Sequence, residues 1–296
     1  MALEHMNSKP ALPERVVLIG AGGFVGKALS AQLAKAAVSV VSVSSKDVDL
    51  SADGSDGLLS AFLKDGDAVV VLAAITPDKG RGVEPFIRNI DIAANTAKAL
   101  NASNPSHVVY LSSDAVYSMD EALVSEATPA EATDLYGAMH LSRELLFKSE
   151  IAAPVAVLRP TLIFGAEDTH NSYGPNRLRR MARDNGAIRL FGGGEETRDH
   201  IFVEDVARVI IEVLKHRSQG LLNVATGTSI TYHDLAHQVG ALFDTDIEVE
   251  LTDRQNPITY RKFDVTLLRQ AFPQFSFTRL TEGLASAHQG MLAGAE

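Results

Sequence analysis

The chain contains no cysteine among its 296 residues. That absence excludes disulfide bridges, thiolate metal sites and a cysteine nucleophile, and it is typical of a cytoplasmic protein. No apolar run reaches the roughly 18 residues of a transmembrane helix, and the first residues lack the pattern of a secretory signal. We therefore predict a cytoplasmic protein with no membrane partner.

Positive charge is also scarce, since 27 basic residues stand against 37 acidic ones and the net charge is −10. Such a balance disfavours non-specific attraction to nucleic acid, so no nucleic-acid partner is expected. An anionic ligand must then meet a local group of cations. The hydrophobic content of 46% indicates a substantial core.

The pattern along the chain suggests three parts. Residues 1–13 are interpreted as a tag remnant and leader, because Met1–Met6 resembles a cloning scar, and they are left out of the fold. Residues 14–160 alternate β-branched strands with helical patterns, which predicts an α/β doubly wound parallel sheet of the Rossmann type. Residues 161–296 are expected to form a smaller α/β substrate-binding region, with some strands and helices returning to the sheet. Within the Rossmann part we predict strands over 16–19, 38–43, 68–72, 107–111 and 155–158, and helices over 24–36, 55–64, 84–102 and 134–149.

A glycine-rich turn follows the first of these strands. Gly20, Gly23 and Gly26 precede a helical pattern whose free N–H groups and dipole can hold a pyrophosphate. The common dehydrogenase fingerprint would require another glycine at Val25, so the spacing is of a different kind. A dinucleotide is the predicted ligand, and a turn that merely ends the strand is the alternative.

Further segments in a fixed order accompany the glycine turn. Together they resemble the extended short-chain dehydrogenase/reductase family, which includes NAD(P)-dependent sugar-nucleotide epimerases, dehydratases and reductases. The resemblance implies an oxidoreductase or isomerase with a Rossmann fold. The segments that carry it are 20–26, 72–74, 89–95, 112–117, Tyr136 at the start of a helix, 158–160, 198–207 and 223–227.

The resemblance implies a catalytic group around Tyr136. Ser113 would hydrogen-bond the reacting carbonyl or hydroxyl, and Tyr136 would move the proton while hydride moves to or from nicotinamide. Four residues on, where the family has lysine, stands His140, on the same helix face but without a guaranteed charge. His140 could hydrogen-bond the ribose and preserve activity, Arg143 could supply the cation, or activity could be weak or lost. We favour the first.

Asp114 follows the proposed active serine, as in the family's 4,6-dehydratases. Those enzymes pair it with a glutamate, and this chain has Ala115 there. Elimination of water needs both an acid and a base, so the sequence favours an epimerase or reductase.

Cofactor choice depends on the end of the second strand, where Ser44, Ser45 and Lys46 suit the 2′-phosphate of NADP better than the ribose of NAD. Asp47 could instead supply a carboxylate, which favours NAD. The resemblance further assigns Asp49 to the adenine. The full set of expected cofactor contacts is Gly20, Gly23, Phe24, Val25, Gly26, Ser44, Ser45, Lys46, Asp49, Leu50, Leu72, Ala73, Ala74, Asn89, Leu111, Tyr136, His140 and Pro160.

For the substrate, the resemblance assigns Asn176 and Arg198 to the diphosphate of a nucleotide sugar, with Arg177 beside them. Arg179 and Arg183, on the same basic helix, are expected to be solvated. Asp199 and Asp205 are expected to cap or salt-bridge within the fold. His233 and His237 lie at i and i+4 but lack a third ligand, so no metal is predicted.

The leading hypothesis is hydride transfer between NAD(P) and a nucleotide-linked sugar. Reduction of a non-nucleotide carbonyl compound and a catalytically weak NADP-binding sensor are the alternatives. The resemblance also implies a homodimer through the helices near 84–102 and 134–149. Small residues that could pack at that interface, or inside the chain, are Ala93, Ala94, Ala97 and Ala138.

Overall fold

A computed structural model describes residues 2–168, 174–254 and 257–293. In chain order the strands are β1 (Arg15–Ile19), β2 (Ser39–Val43), β3 (Ala68–Val71), β4 (His107–Leu111), β5 (Leu123–Val124), β6 (Val155–Pro160), β7 (Leu162–Phe164), β8 (Ala187–Phe191), β9 (Thr197–Phe202), β10 (Gly220–Val224), β11 (Ser229–Thr231), β12 (Glu248–Thr252) and β13 (Lys262–Phe263). The helices are α1 (Phe24–Lys35), α2 (Ser55–Ser60), α3 (Val83–Ser103), α4 (Leu135–Glu150), α5 (Pro175–Asn185), α6 (Val203–His216), α7 (Tyr232–Gly240), α8 (Thr266–Ala271) and α9 (Leu280–Ala293).

The main sheet confirms the predicted doubly wound architecture. Its six strands are parallel and lie in the order β2-β1-β3-β4-β6-β10. The chain runs outward from β1 to β2 on one side and from β3 onward on the other. The carboxyl ends of β1 and β3 therefore form the switch point at which such sheets bind ligands.

The apolar run of β1 is explained by burial on both faces of the sheet. Val16 and Leu18 pack with α1 and α6, whereas Val17 and Ile19 pack with α2, α3 and α4. A strand covered on both sides has no polar face, so its sequence is continuously apolar rather than alternating. The helix predicted over 55–64 is shorter than expected, because beyond Ser60 the chain continues with three i→i−3 hydrogen bonds in place of the α-helical pattern.

The later part of the chain adds small sheets beside the main one. Strands β7, β9 and β11 form one sheet, β8 pairs with β12, and β5 pairs with β13. A separate apolar cluster joins α5, β8, α7 and α9. The pairing of Lys262 with Leu123 brings the late segment before β13 next to the segment that follows β4.

The first residues, which the sequence reasoning leaves out of the fold, lie against the edge of the main sheet. The Glu4 N–H donates to the Gln219 carbonyl over 2.8 Å, and His5 Nδ1 lies 2.8 Å from the Ser218 hydroxyl. The side chain of Leu3 is buried. Their packing beside β10 was not predicted because it depends on a strand more than two hundred residues away.

A buried ion pair fixes α4 against the sheet. Arg159 Nε and Nη2 on β6 donate to the two carboxylate oxygens of Glu144 on α4 over 2.8 and 2.6 Å. The Ser112 hydroxyl, just after β4, donates to the same carboxylate over 2.6 Å. Both charged side chains are buried, so each charge depends on the other for compensation.

We expect Arg159→Met to lower the free energy of unfolding by about 3–5 kcal/mol, because it leaves the Glu144 carboxylate buried without its partner. Chemical denaturation measures the loss. The matched control is Lys148→Met, since Lys148 lies 3.6 Å from the same carboxylate but is 43% exposed. Its effect should stay within about 0.5 kcal/mol, and equal losses in the two variants would contradict the assigned role of the pair.

Candidate active site

The glycine turn forms a tight cradle at the switch point. A Cβ at Gly20, where φ is +95°, would lie 2.5 Å from the Ala73 nitrogen, and one at Gly26 would lie 2.6 Å from the Gly20 oxygen. Helix α1 begins at Phe24, directly after Gly23, and Val25 is its second residue. No side chain caps this end of the helix, and its first turn contains no acidic residue. Its free N–H groups therefore suit an anion, and the cradle fits a dinucleotide pyrophosphate.

At the end of β2, Ser44 is engaged with a carboxylate. Its N–H and hydroxyl donate to Asp47 Oδ2 over 2.8 and 2.7 Å, which lowers the pKa of Asp47. Ser45 and Lys46 are exposed beside it. The Ser44 hydroxyl is thus bound to Asp47 within the turn. Lys46 is the group in this turn whose positive charge suits a 2′-phosphate.

The adjoining turn holds the residue expected at the adenine. Asp49 is exposed, accepts from the Ser51 N–H and hydroxyl, and lies 4.0 Å from Arg88, whereas the neighbouring Leu50 is buried. These bonds lower the pKa of Asp49, with the Ser51 hydroxyl as the largest cause.

The segment after β3 carries Leu72, Ala73 and Ala74. Asn89 on α3 holds it, because the Asn89 amide oxygen accepts from Ile75 N over 2.9 Å and its nitrogen donates to the Ile75 carbonyl over 3.0 Å. Asn89 is buried, and its amide nitrogen also donates to the Pro85 carbonyl. The structure thus shows Asn89 holding the loop, where the sequence suggested a direct cofactor contact. Two further expected contact residues end strands of the main sheet, Leu111 on β4 and Pro160 on β6.

Ser113 and Tyr136 are brought together by close packing of two helices. Ser113 caps a one-turn 3-10 helix over Asp114–Val116, accepting from the Ala115 N–H over 3.2 Å. A Cβ at Gly137 would lie 2.0 Å from the Ala115 oxygen, so this turn rests directly on the start of α4. Tyr136 occupies that start.

The environment of Tyr136 favours the neutral, protonated phenol. Burial raises the pKa of the Tyr136 phenol to about 12, and the Asp114 carboxylate adds to the rise. The Arg143 guanidinium and the Ser113 hydroxyl oppose it, and both favour the phenolate. At neutral pH the phenol is therefore a proton donor in the free protein.

His140 is buried and neutral. Its Nδ1 lies 2.7 Å from the Tyr110 hydroxyl, and its Nε2 has no hydrogen-bond partner among the described residues. Its ring meets the Tyr136 ring edge to face with centroids 4.7 Å apart. Burial, followed by the charge of Arg143, places the pKa of His140 well below its usual value.

Arg143 lies one turn further along α4 and is fully buried. Its Nη2 donates to the Ala73 carbonyl over 2.7 Å, and Nη1 donates to the Asn89 amide oxygen over 3.3 Å. The guanidinium carbon lies 5.1 Å from the centre of the Tyr110 ring. The permanent cation on this face of α4 is therefore Arg143.

Arg261 is a site residue that sequence reasoning missed. It is buried, its Nη2 donates to the Asp114 carbonyl over 2.7 Å, and its Nε lies 3.7 Å from Asp114 Oδ2. Burial raises the pKa of Asp114, and Arg261 and then Arg198 oppose that rise. No local motif marks Arg261, because the pairing of β13 with β5 is what places it there.

A cleft of about 300 Å³ opens beside Tyr136. It lies between the start of α4 and the segment that joins β3 to α3. Its walls include Ile75, Pro77, Phe86, Asn89, Tyr136 and Met139. A small organic ligand in this cleft would contact the phenol.

On the substrate side, the expected diphosphate residues bind protein groups. The Asn176 amide donates to Asp168 and accepts from Arg179 Nη2 over 2.6 Å. Arg198 Nη1 donates to the Thr197 and Thr259 carbonyls over 2.7 and 3.0 Å. Arg177 is half-buried on the first turn of α5.

The expectation that Arg179 is solvated is wrong. Arg179 is buried, and burial lowers its pKa to about 10. Helix α5 packs into an apolar cluster with β8, α7 and α9, and its strongly basic sequence gave no sign of that cover. Arg183, by contrast, is exposed and pairs with Asp184, as expected.

Asp199 and Asp205 have the structural roles predicted for them. Asp199 accepts from the N–H groups of 226–228 and from the Thr161 hydroxyl, and Asp205 pairs with Arg208 and accepts from Thr278. His233 and His237 are in ring contact on α7. Across residues 2–168, 174–254 and 257–293 there is no cluster of three metal-ligating side chains, and no helix there is long and apolar enough to span a membrane.

Gly26→Ala should weaken binding of NADPH and NADH about tenfold or more, because the new methyl would displace the Gly20 carbonyl and deform the cradle. Calorimetric titration measures the affinity. Gly57→Ala is the matched control, since a Cβ there would meet nothing within 4 Å. Equal affinities in Gly26→Ala and the unmodified protein would contradict the placement of the dinucleotide.

Comparison with known proteins agrees with this geometry. A curated relative, the N-acetyl-α-D-glucosaminyl-diphospho-ditrans,octacis-undecaprenol 4-epimerase of Escherichia coli O157:H7, is 27% identical over 233 residues, which are 73% of this chain and 66% of the relative. The match thus spans just under two thirds of that protein's length.

Two solved structures share the fold. A GDP-L-fucose synthetase from Naegleria fowleri bound to NADP has a TM-score of 0.83 and 17% identity, with 100% of this chain and 98% of that chain covered. MoeE5 in complex with UDP-glucose and NAD has a TM-score of 0.79 and 21% identity, with 95% and 100% covered.

The family model for the NAD dependent epimerase/dehydratase family matches residues 16–225, which include the glycine cradle, Ser113, Tyr136 and the Asn223 strand. That segment is more than half of the chain. The chain therefore belongs to the NAD dependent epimerase/dehydratase family, and it is an NAD(P)-dependent enzyme of the extended short-chain type.

Proposed function

We propose that this enzyme catalyses hydride transfer between a nicotinamide dinucleotide and a nucleotide-linked sugar, with Tyr136 moving the proton. The observation that carries the proposal is the approach of Ser113 to Tyr136 beside a cleft, next to a glycine cradle. A proton-transfer group, a hydroxyl to orient the reacting oxygen and a dinucleotide site are the parts that such a reaction requires.

Each part of the site has a defined task in this proposal. The residues around Gly20–Gly26 would hold the dinucleotide, whose nicotinamide supplies or accepts hydride when bound. The Ser113 hydroxyl orients the reacting oxygen of the sugar. Tyr136 holds the proton at its phenol oxygen, and gives it to a carbonyl oxygen in reduction or takes it from a hydroxyl in oxidation.

NADP is the cofactor that we propose. Lys46 is exposed at the end of β2, and the Asp47 carboxylate beside it is already satisfied by the N–H and hydroxyl of Ser44. A cation in this position favours a 2′-phosphate. The negative charge of Asp47, one residue from Lys46, acts against a 2′-phosphate.

A nucleotide sugar is the proposed substrate because buried and half-buried arginines gather on the substrate side of an acidic chain. The positive charges of Arg198 and Arg261 both lower the pKa of the Asp114 carboxyl group. Asn176 lies at the start of α5, with Arg177 beside it. One guanidinium group can donate two parallel N–H bonds to the oxygens of a phosphate. Of the similar proteins, one is a 4-epimerase of an N-acetylglucosaminyl-diphospho-undecaprenol, and another forms a complex with UDP-glucose and NAD.

Among reactions of this class we propose epimerisation or reduction rather than dehydration. Asp114 lies near the site, but Ala115 follows it and supplies no second carboxyl group. We also propose a homodimer through α3 and α4. Ile87 and Leu145 are exposed on these helices, whereas Ala93 and Ala97 are buried inside the chain and serve internal packing.

Thermal shift tests both ligands. NADPH should raise the melting temperature more than NADH, and UDP- or GDP-linked sugars should add a second rise; a ligand at 100 times its Kd contributes about 2.7 kcal/mol. Lys46→Glu should reverse the cofactor order, and Lys98→Glu, an equal charge change at an exposed site on α3, should not. A cofactor shift without any sugar-nucleotide shift would contradict the substrate assignment and favour a small carbonyl compound or a sensor.

Tyr136→Phe should lower turnover by at least about 100-fold and leave cofactor affinity nearly intact, because the phenol oxygen is the proposed proton carrier. Steady-state kinetics with an accepted sugar nucleotide measures the change. Tyr117→Phe is the matched control, since it removes a buried hydroxyl that bonds Asn223 over 2.8 Å. Undiminished turnover in Tyr136→Phe would overturn the mechanism.

A further inference from the structure

The face of α4 that begins with Tyr136 carries a buried arginine with unusual partners. Arg143 donates to the Ala73 carbonyl, the Asn89 amide oxygen and the Met139 sulfur, none of which carries a charge. Its Nε has no hydrogen-bond partner in the described parts of the chain. A fully buried cation held only by neutral groups is costly, so its retention calls for a functional reason.

The position of Arg143 supplies that reason. Tyr136, His140 and Arg143 lie at i, i+4 and i+7 of one helix, so they share a face. Two of the three partners of Arg143, Asn89 and Met139, line the cleft next to Tyr136, and the third, Ala73, follows β3 at the switch point.

Aromatic contacts connect the same groups. The Arg143 guanidinium lies over the Tyr110 ring, the Tyr110 hydroxyl contacts His140 Nδ1, and the His140 ring meets Tyr136 edge to face. These contacts fix the positions of His140 and Arg143 relative to the phenol. In this arrangement the Nδ1 atom of His140 is hydrogen-bonded to Tyr110, and the His140 ring packs against Tyr136.

We infer that Arg143 provides the fixed positive charge beside Tyr136, and that His140, which replaces the expected lysine, acts only through packing and hydrogen bonding. The inference rests on the proposed role of Tyr136. The two tasks that a lysine would combine are thereby divided between two residues one turn apart.

The charges that face Tyr136 are consistent with this division. Asp114 on the 3-10 helix and Asp134 at the start of α4 disfavour the phenolate, whereas Arg143 favours it. Tyr110 on β4 and His140 on α4 are two further titratable groups in contact with this cluster, and burial keeps both neutral at physiological pH. Among the groups named here, Arg143 is the cation.

The test measures the pKa of Tyr136 directly. Protein labelled with a ring-fluorinated tyrosine, whose phenol titrates at lower pH, is followed by fluorine NMR, and Tyr136→Phe assigns the signal. Arg143→Gln should raise the pKa of Tyr136 by about 1 or more, as loss of a nearby opposite charge does. Arg143→Lys should restore most of the difference, and His140→Gln should leave the pKa unchanged.

Arg179→Gln is the matched control, because it removes another buried arginine and should not change the pKa of Tyr136. An unchanged pKa in Arg143→Gln, or a rise in His140→Gln, would overturn the inference. Circular dichroism identifies a variant that fails to fold; if Arg143→Gln does, Arg143→Met takes its place, because it also removes the charge, and a rise in the pKa in His140→Gln still overturns the inference.

The measurement needs neither substrate nor cofactor, so it separates the two proposals. If Arg143→Gln raises the pKa but no sugar nucleotide is turned over, the inference stands and the proposed function fails. If sugar nucleotides are turned over and the pKa does not respond to Arg143, the proposed function stands and the inference fails.

Discussion

Helix α4 can begin where it does because position 137 has no side chain. Any Cβ there would overlap the Ala115 carbonyl, so a larger residue would push α4 away from the 3-10 helix. That single approach sets the separation of Ser113 and Tyr136. His140 and Arg143 follow Tyr136 on the same helix, so the start of α4 also bears on where they lie.

The same helix carries two buried arrangements of charge with different purposes. On one side, the Arg159 guanidinium balances the negative charge of Glu144, and this ion pair connects α4 to the sheet. On the other, Arg143 is held by neutral groups and directs its charge at the candidate site. A compensated pair adds rigidity, whereas an uncompensated cation changes the protonation of its neighbours. The helix is therefore both a support and part of the site.

Much of the fold was predictable because it rests on local patterns. Apolar runs such as Val16–Ile19 mark strands that are buried on both faces, and the glycine spacing marks the turn at the switch point. The positions of Ser113 and Tyr136 also followed from motifs. Arg261 could not be found in this way, because a pairing between strands about 140 residues apart brings it to Asp114.

Other misses have the same physical origin. The burial of Arg179 depends on how α5 is covered by α7, α9 and β8, and a basic helix sequence gives no sign of that cover. The neutrality of His140 depends on its surroundings rather than on its residue type. Local motifs thus predicted Ser113, Tyr136 and His140 as neighbours, whereas the charge states of these residues depend on the packing.

The pairing of β5 with β13 has a mechanical consequence. It consists of two residues in each strand, joined by hydrogen bonds from Lys262 N to Ala122 O and from Asp264 N to Val124 O. So short a ladder opens at a far lower free energy than the six-stranded sheet, and its amides should exchange with solvent early. Opening it would remove one attachment of the segment that carries Arg261, while the Arg261 N–H still donates to the Thr197 carbonyl and the Ser229 hydroxyl still donates to the Arg261 carbonyl. The wall of the site that contains Arg261 is therefore held by fewer bonds than the cradle and α4 once the ladder opens.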